Sequence, residues 1–296
     1  LEFIWNYTAD EPSTIKSFLK ELDIPRSFIS WVKFSGSIQL NGQEVTVRKD
    51  IKAGDAISLV TANEKGYDTV LPAYDGIEVV YEDRDLLVVN KPVDVVSIPS
   101  IKNPSSSMAN RIRGYYMAKQ YADQVIHIVT RLDRDTSGLM LIAKHRLAHA
   151  LLDRQIQARE IDKIYYAISS RADWLDHGMI DAPIARDENS IITRRVHKSG
   201  KQAMTEYWLE ESLTNSSLLK LQLHTGRTHQ IRVHMQHLDG ALVGDDLYGG
   251  MMTEPLMRQA LHCGELRFKQ PFTGEELVIK QSLPSDMQEW INLNRT

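Results

Sequence analysis

The chain is predicted to fold as two domains of interspersed strands and helices, a small one over residues 1–60 and a larger one over 76–296, joined by a linker at 61–75. Three observations lead there. At 296 residues it reaches the length at which a single hydrophobic core stops growing. Residues 13–60 show a helical period followed by a hairpin signal, whereas beyond residue 76 alternating and continuous apolar runs mix with helical ones. Between them the chain is polar and turn-rich, with Gly66 and Pro72. With 42% hydrophobic and 25% charged residues, the chain has the apolar content to bury both cores.

In the small domain, Ser13 or Thr14 caps a helix whose apolar residues Ile15, Phe18, Leu19 and Leu22 fall on one face. Pro25 suits the first turn of a second helix, which buries Phe28, Ile29 and Val32. Residues 38–47 alternate around Asn41-Gly42, a pair that favours the positive φ of a tight hairpin, and Ala53-Gly54-Asp55 turns into Ile57-Ser58-Leu59. In the larger domain Ile77, Val79 and Tyr81 alternate, and the run Leu86–Val89 ends at Lys91-Pro92, which reads as two strands. Residues 97–108, rich in serine, read as an exposed loop before a helix near 109–121.

Cys263 is the only cysteine, so intrachain disulfides and Cys-rich zinc sites are excluded, and a reducing, cytoplasmic setting fits. No apolar stretch suits a membrane span, and the N-terminus lacks the basic-then-apolar order of a signal peptide, so neither membrane nor export is expected. The net charge of −4 argues against nucleic acid if taken alone. Its distribution argues otherwise, because Arg194, Arg195, Lys198 and Lys201 lie within eight residues that hold no acid, a candidate phosphate-facing patch. A solvated loop gives the same pattern.

Three segments carry candidate chemistry. If Val129–Asp133 is extended, Arg131 and Asp133 share one face while Leu132 enters the core, and Thr136-Ser137-Gly138 turns into a buried strand. On spacing alone this is equally a surface ion pair at a strand end. Strand alternation puts Lys163, Tyr165 and Ala167 on one face, a cation beside an aromatic, although Tyr165 also fits as a half-buried strand tyrosine. In the third segment Leu219, Leu221 and Leu223 alternate, Gly226 breaks the strand and Thr228 caps a helix. Ile231, Met235 and Leu238 form the buried stripe of that helix, leaving Arg232 free to face a site.

In order and spacing these segments resemble the RluA-type RNA pseudouridine synthases, and the likeness runs over most of residues 76–290. Further matches are Val88–Pro92, Ala203–Tyr207, Val243–Gly249 and Leu261–Leu266; Thr130 stands where most relatives have His. Residues 1–60 resemble the S4-like RNA-binding domain, through Arg26, Lys33, Asn41-Gly42 and Ala53-Gly54-Asp55. The resemblance implies an α+β catalytic domain with a central, mainly antiparallel sheet crossed by a cleft. It implies Asp133 as the catalytic carboxylate, Tyr165 against the target uracil, and Arg232 as the partner of Asp133. It also implies that Arg131 helps displace or replace the target nucleotide, and Lys163, Arg227, His229, Gln230, Arg194, Arg195 and Lys198 are candidates for RNA contact.

Pseudouridine formation breaks the bond from ribose to uracil nitrogen, turns the base and rejoins ribose to carbon five. Nothing is added or removed, so no cofactor or metal is expected. It needs a carboxylate beside the sugar, as nucleophile or base, and a neighbouring guanidinium opposes the desolvation that would neutralise it. The expected partner is ribosomal RNA, with transfer RNA the alternative, and the expected state is a monomer. Two rivals follow from other features. A metal hydrolase would use His229, His234, His237, His262 and Cys263, whose spacing fits no standard zinc pattern. A noncatalytic RNA-binding protein would have no use for a carboxylate held near phosphates.

Overall fold

The computed structural model describes residues 1–64, 66, 70–101 and 103–295. The chain opens with a strand the sequence reading did not identify, β1 (Glu2–Asn6), followed by β2 (Ser13–Thr14), α1 (Ile15–Glu21) and α2 (Arg26–Ser35). Then come β3 (Ser37–Leu40), β4 (Gln43–Glu44), β5 (Asp50–Ile51) and β6 (Ala56–Val60). Thr14 caps α1 by accepting from Ser17 N–H, and Asn41 and Gly42 adopt positive φ at the hairpin between β3 and β4. β1, β6, β3 and β4 form an antiparallel sheet in that order, and the helices close its core over Phe3, Ile15, Leu19 and Leu59.

The larger unit begins with β7 (Glu78–Glu82), β8 (Leu86–Lys91), α3 (Met108–Ala118), β9 (His127–Ile128), β10 (Ser137–Ala143) and α4 (Arg146–Ala158). It continues through β11 (Asp162–Ser169), β12 (His177–Asp181), β13 (Ile184–Arg186), β14 (Arg194–Val196), β15 (Met204–Ser212) and β16 (Ser217–Leu223). It ends with α5 (Gln230–His237), β17 (Leu261–Lys269), β18 (Glu276–Lys280) and α6 (Ser285–Asn294). The main path of the central sheet runs β12-β15-β16-β11-β17-β10-β8-β7. Every pairing in it is antiparallel except β10 with β17, so the α+β expectation with a mainly antiparallel sheet holds. That parallel contact is close: a Cβ on Gly138, whose φ is 113°, would sit 2.3 Å from the Cys263 carbonyl oxygen.

The two units pack against each other. The Phe3 ring stacks on Phe272 at 5.6 Å and meets His145 at 5.0 Å, while Leu147 of α4 is buried in the N-terminal core. His145 accepts from Ala148 N–H through Nδ1, so its Nε2–H donates to Asp85 Oδ1 at 2.9 Å. The expected linker is tied down as well. Glu64 is buried, accepts from Arg146 N–H and pairs with His127 at 3.2 Å; residues 65 and 67–69 of that linker lie outside the described residues.

Among the described residues of the segment 97–108, Ile98, Ser100, Ile101, Pro104, Ser105 and Ser106 are exposed, as read for an exposed loop, and its two ends are anchored. Ser97 and Ser107 are buried, the first bonded to Leu132 and the second capping α3 in a reciprocal box with Asn110. Serine-rich sequence marks loops because serine competes for backbone groups, and here that competition clamps the loop inward. Among the described residues no helix is long and apolar enough to cross a membrane.

Candidate active site

A cleft of about 990 Å³ opens where the loops after β9, α4 and β16 meet the sheet, and it is lined by Arg131, Asp133, Lys163, Tyr165, His229 and Arg232. Arg159, Arg227 and Gln230 also line it, whereas Arg194, Arg195 and Lys198 do not.

Asp133 stands on a loop, not on the extended strand expected for 129–133. β9 ends at Ile128 because Thr130 Oγ1 accepts from Leu141 N–H at 2.9 Å, taking the place of a strand carbonyl and turning the chain away from β10. Beyond it the clamps are dense. Ser97 Oγ donates to the Leu132 carbonyl at 2.7 Å and accepts from Leu132 N–H at 3.1 Å. Lys91, wholly buried, donates to the carbonyls of Pro92, Val95 and Arg134 at 2.7–2.8 Å. Burial pulls Lys91 down to about 7, against the pull of Asp135 and Asp133. Three carbonyl acceptors nevertheless require the three N–H bonds that only the ammonium has, so we assign it the charged form. Leu132 is thereby held in the core, with exposed Arg131 before it and half-exposed Asp133 after it, so the two side chains share the cleft as expected.

Tyr165 lies on β11 opposite Cys263 of β17, at a register shift between Ile164 and Tyr165. Burial, then Cys263 and Asp133, raise its phenol well above the ordinary range, and burial pushes the Cys263 thiol up to about 12, so both are neutral. Lys163, two residues earlier, is lowered by burial and has no hydrogen-bond or ion partner among the described residues.

On the opposite wall the expectation for Arg232 needs correction. Its helix starts at Gln230, and the N-cap is His229 in the left-handed conformation, φ 56°, without a side-chain cap, rather than Thr228. Arg232 is buried and its principal partner is Asp245, reached through Nε and Nη2 at 2.7 Å each. Asp133 lies 3.6 Å from the remaining nitrogen, Nη1. Burial works against the Arg232 charge, and the Asp245 carboxylate more than offsets it. The ring of Tyr248 lies 5.0 Å beneath the guanidinium, and its hydroxyl is 2.8 Å from His229 Nδ1. His229 Nε2 is 3.9 Å from Asp133 Oδ2.

The remaining candidates differ in how far their polar groups are engaged within the protein. Gln230 is buried and fully engaged: its oxygen accepts from Thr225 and Arg227 N–H, and its nitrogen donates to Met204 O and Thr205 Oγ1. It fastens the loop before α5. Arg195 pairs with Glu188 at 2.7 Å and Arg194 bonds the carbonyls of Ile192 and Thr193, whereas Lys198 and Lys201 are exposed, so one of the four cations of the run 194–201 is answered by an acid. Its acid comes from the hairpin ahead of it, which a count within the run cannot see. Arg227 is exposed, with Nε donating to Gln202 O. His234 bonds Thr205 and Ala182, and His262 bonds Ser137. Among the described residues no three His, Cys, Asp or Glu side chains are grouped to hold a metal.

Asp245 and Tyr248 are the site residues that sequence reasoning left without a role. Both sit in Val243–Gly249, one of the matching segments, and the signal was an acid followed by an aromatic at i+3 in a glycine-bounded turn.

A carboxylate beside a buried guanidinium and a neutral phenol, in an open cleft with unpaired cations at its rim, matches the constellation expected of RNA pseudouridylate synthases. Residues 85–237 match that family. Across 94% of its length the chain is 40% identical to the uncharacterized RNA pseudouridine synthase YjbO of Bacillus subtilis, covering 98% of that relative. The chain belongs to the RNA pseudouridine synthase family. It is also 36% identical over 91% of its length to the ribosomal large subunit pseudouridine synthase D of Yersinia pestis, of which it covers 86%. The fold agrees with that of the human RNA pseudouridylate synthase domain containing 4, at a TM-score of 0.60 over 73% of this chain and 92% of that one, with 22% identity. The protein is thus an RluA-type pseudouridine synthase, an isomerase acting on uridine in RNA.

Proposed function

We propose that the cleft receives one unstacked uridine of large-subunit ribosomal RNA, with its ribose at Asp133 and its uracil on Tyr165. The observation that carries this reading is the state of the Asp133 carboxylate: no described residue donates to it within hydrogen-bond distance, yet it is half-exposed at the floor of a cleft between Arg232 and Tyr165. A carboxylate kept for structure would be satisfied; one kept for a substrate has room left for it. Extruding the base costs a few kcal/mol, and stacking on Tyr165 returns roughly 1–3 kcal/mol. Arg131, exposed and unpaired among the described residues, occupies the gap left in the stack, while Lys163 and Arg227 meet phosphates. The ribosomal assignment is supported by relatives named for the large subunit, and a ribosomal substrate in turn supports a cytoplasmic setting.

Residues 1–60 act as an S4-like RNA-binding module. Their packing against α4 and Phe272 supports a role in setting the angle at which RNA enters the cleft. The test is direct. Ribosomal RNA carrying uridine tritiated at carbon five, incubated with the protein, should release tritium, and mapping pseudouridine in RNA from a deletion strain should reveal the missing position. Release from transfer RNA alone would overturn the ribosomal reading.

A further inference from the structure

His229 and Tyr248 form a partly buried chain of hydrogen bonds that points at the proposed catalytic carboxylate and stops 3.9 Å short of it. The backbone N–H of Arg194 donates to the Tyr248 hydroxyl oxygen at 2.9 Å, and the same oxygen lies 2.8 Å from His229 Nδ1. Tyr248 is only 2% exposed, and no other described residue accepts from its hydroxyl. Its single hydrogen therefore has one place to go, because a buried O–H left without an acceptor costs about 1–3 kcal/mol. The hydroxyl donates to Nδ1, so the hydrogen of the neutral imidazole sits on Nε2. Nε2 faces Asp133 Oδ2 across 3.9 Å.

The second donor aimed at Asp133 points to the same oxygen. Arg232 has two nitrogens committed to Asp245, and its free Nη1 lies 3.6 Å from Oδ2. Both donors stand just beyond hydrogen-bond length, as is common before substrate closes a site. His229 is held at this spot in a left-handed conformation, φ 56°, which a non-glycine residue adopts at a cost that the surrounding contacts sustain.

We propose that Tyr248 and His229 are positioning residues that fix His229 as the Nε2–H tautomer, so that His229 and Arg232 together hold Oδ2 of Asp133 and leave Oδ1 turned toward the ribose. The inference rests on Asp133 as the reacting carboxylate. Burial, followed by Arg232 and Arg194, lowers His229 against the opposing pull of Asp133 and Asp245, which keeps it a neutral donor at neutral pH. No proton is transferred by His229; its hydrogen bond sets direction. The arrangement also gives Val243–Gly249 a single purpose, since Asp245 orients one donor to Oδ2 and Tyr248 orients the other.

The tautomer is read in the full-length wild-type protein by ¹⁵N–¹H correlation spectra of ¹⁵N-histidine label, with the His229 signals assigned by their loss in His229→Gln, or in His229→Asn where the Gln variant does not fold. The expected result is Nε2 protonated and Nδ1 bare; a hydrogen on Nδ1 overturns the proposal, and the readout needs no turnover. In turnover, Tyr248→Phe should lower kcat by roughly 10–100-fold while KM for RNA moves by less than about threefold, as expected for misdirected reacting atoms. His229→Gln, which keeps an N–H donor, should retain more activity than His229→Leu, and Tyr248→Phe should add nothing on top of His229→Leu. Additive losses, or wild-type kcat in both Tyr248→Phe and His229→Leu, would count against it. Full activity in Asp133→Asn would instead sink the catalytic reading while leaving the tautomer result standing.

Discussion

The two walls of the cleft are built on opposite principles. On the α5 side nearly every polar group is paired: Arg232 with Asp245, His229 with Tyr248, Gln230 with four partners. On the side of the β9 loop and β11, Arg131 and Lys163 have no hydrogen-bond or ion partner among the described residues, and Asp133 has only the distant approaches of Arg232 and His229. Arg131 is exposed and Asp133 half-exposed, so their charged groups are open to a partner from outside the protein, whereas Lys163 is largely buried and lacks the partner that a buried polar group has as a rule. The difference teaches which residues act by touching RNA and which act by holding others in place.

The largest effect expected from breaking this contrast is at Asp133 itself. Asp133→Asn should abolish pseudouridine formation, measured by tritium release, while RNA affinity changes only a few-fold, because a reacting group contributes in the transition state and little to binding. An active Asp133→Asn enzyme would reassign the chemistry to the other wall.

Next comes the paired wall. Asp245→Asn leaves a buried guanidinium without its counter-charge, and removing one member of such a pair costs roughly 3–5 kcal/mol. Arg232 should then turn toward Asp133, the other carboxylate near it among the described residues, and cover it. Turnover should fall by about 10²-fold, as for a displaced reacting group, with the unfolding midpoint in urea lowered as well. Unchanged turnover in a less stable protein would mean that Asp245 serves the fold alone.

How much of this was visible in the sequence follows the same division. Strand alternation was enough to bring Lys163 and Tyr165 to one face, because period two fixes which side a strand residue takes, whereas Asp133 lies on a loop and was expected beside them through the family resemblance. Of the two carboxylates that Arg232 meets, Asp133 was expected from the resemblance and Asp245 was not visible. Asp245 lies 13 residues away across a turn, and nothing in a helical period tells an arginine which of two carboxylates it will reach. In the cationic run 194–201 the pairing of Arg195 was hidden for a related reason: Glu188 answers it across the β13–β14 hairpin, a contact made by folding rather than by spacing. Asn41-Gly42 and Thr14, in contrast, act within four residues of themselves and were readable directly.

Lys163 sharpens the picture of the unpaired wall. Its ammonium is held below the ordinary lysine range by burial, with no carboxylate to restore it, so the charge available to an RNA phosphate begins to be lost at a lower pH than for a free lysine. RNA affinity should therefore decline as pH rises toward 10, and Lys163→Met should both weaken binding by about tenfold and reduce the salt slope of log affinity by about one. In that variant the alkaline decline should flatten. Retention of the decline would assign it to another cation in the cleft.

The smallest effect lies behind the loop. Ser97 satisfies both backbone groups of Leu132, the residue before Asp133, from a position that is itself buried. Ser97→Ala strands a buried carbonyl and a buried N–H, each worth about 1–3 kcal/mol if nothing replaces the bond. Lys91 still holds the Arg134 carbonyl and Thr130 still holds the end of β9, so the loop keeps two of its three clamps. The outcome should be a drop in thermal midpoint with turnover reduced only a few-fold and KM nearly constant, in keeping with a modest loss of orientation. A loss as deep as that of Asp245→Asn would place Ser97 among the groups that aim Asp133 rather than those that merely carry its loop.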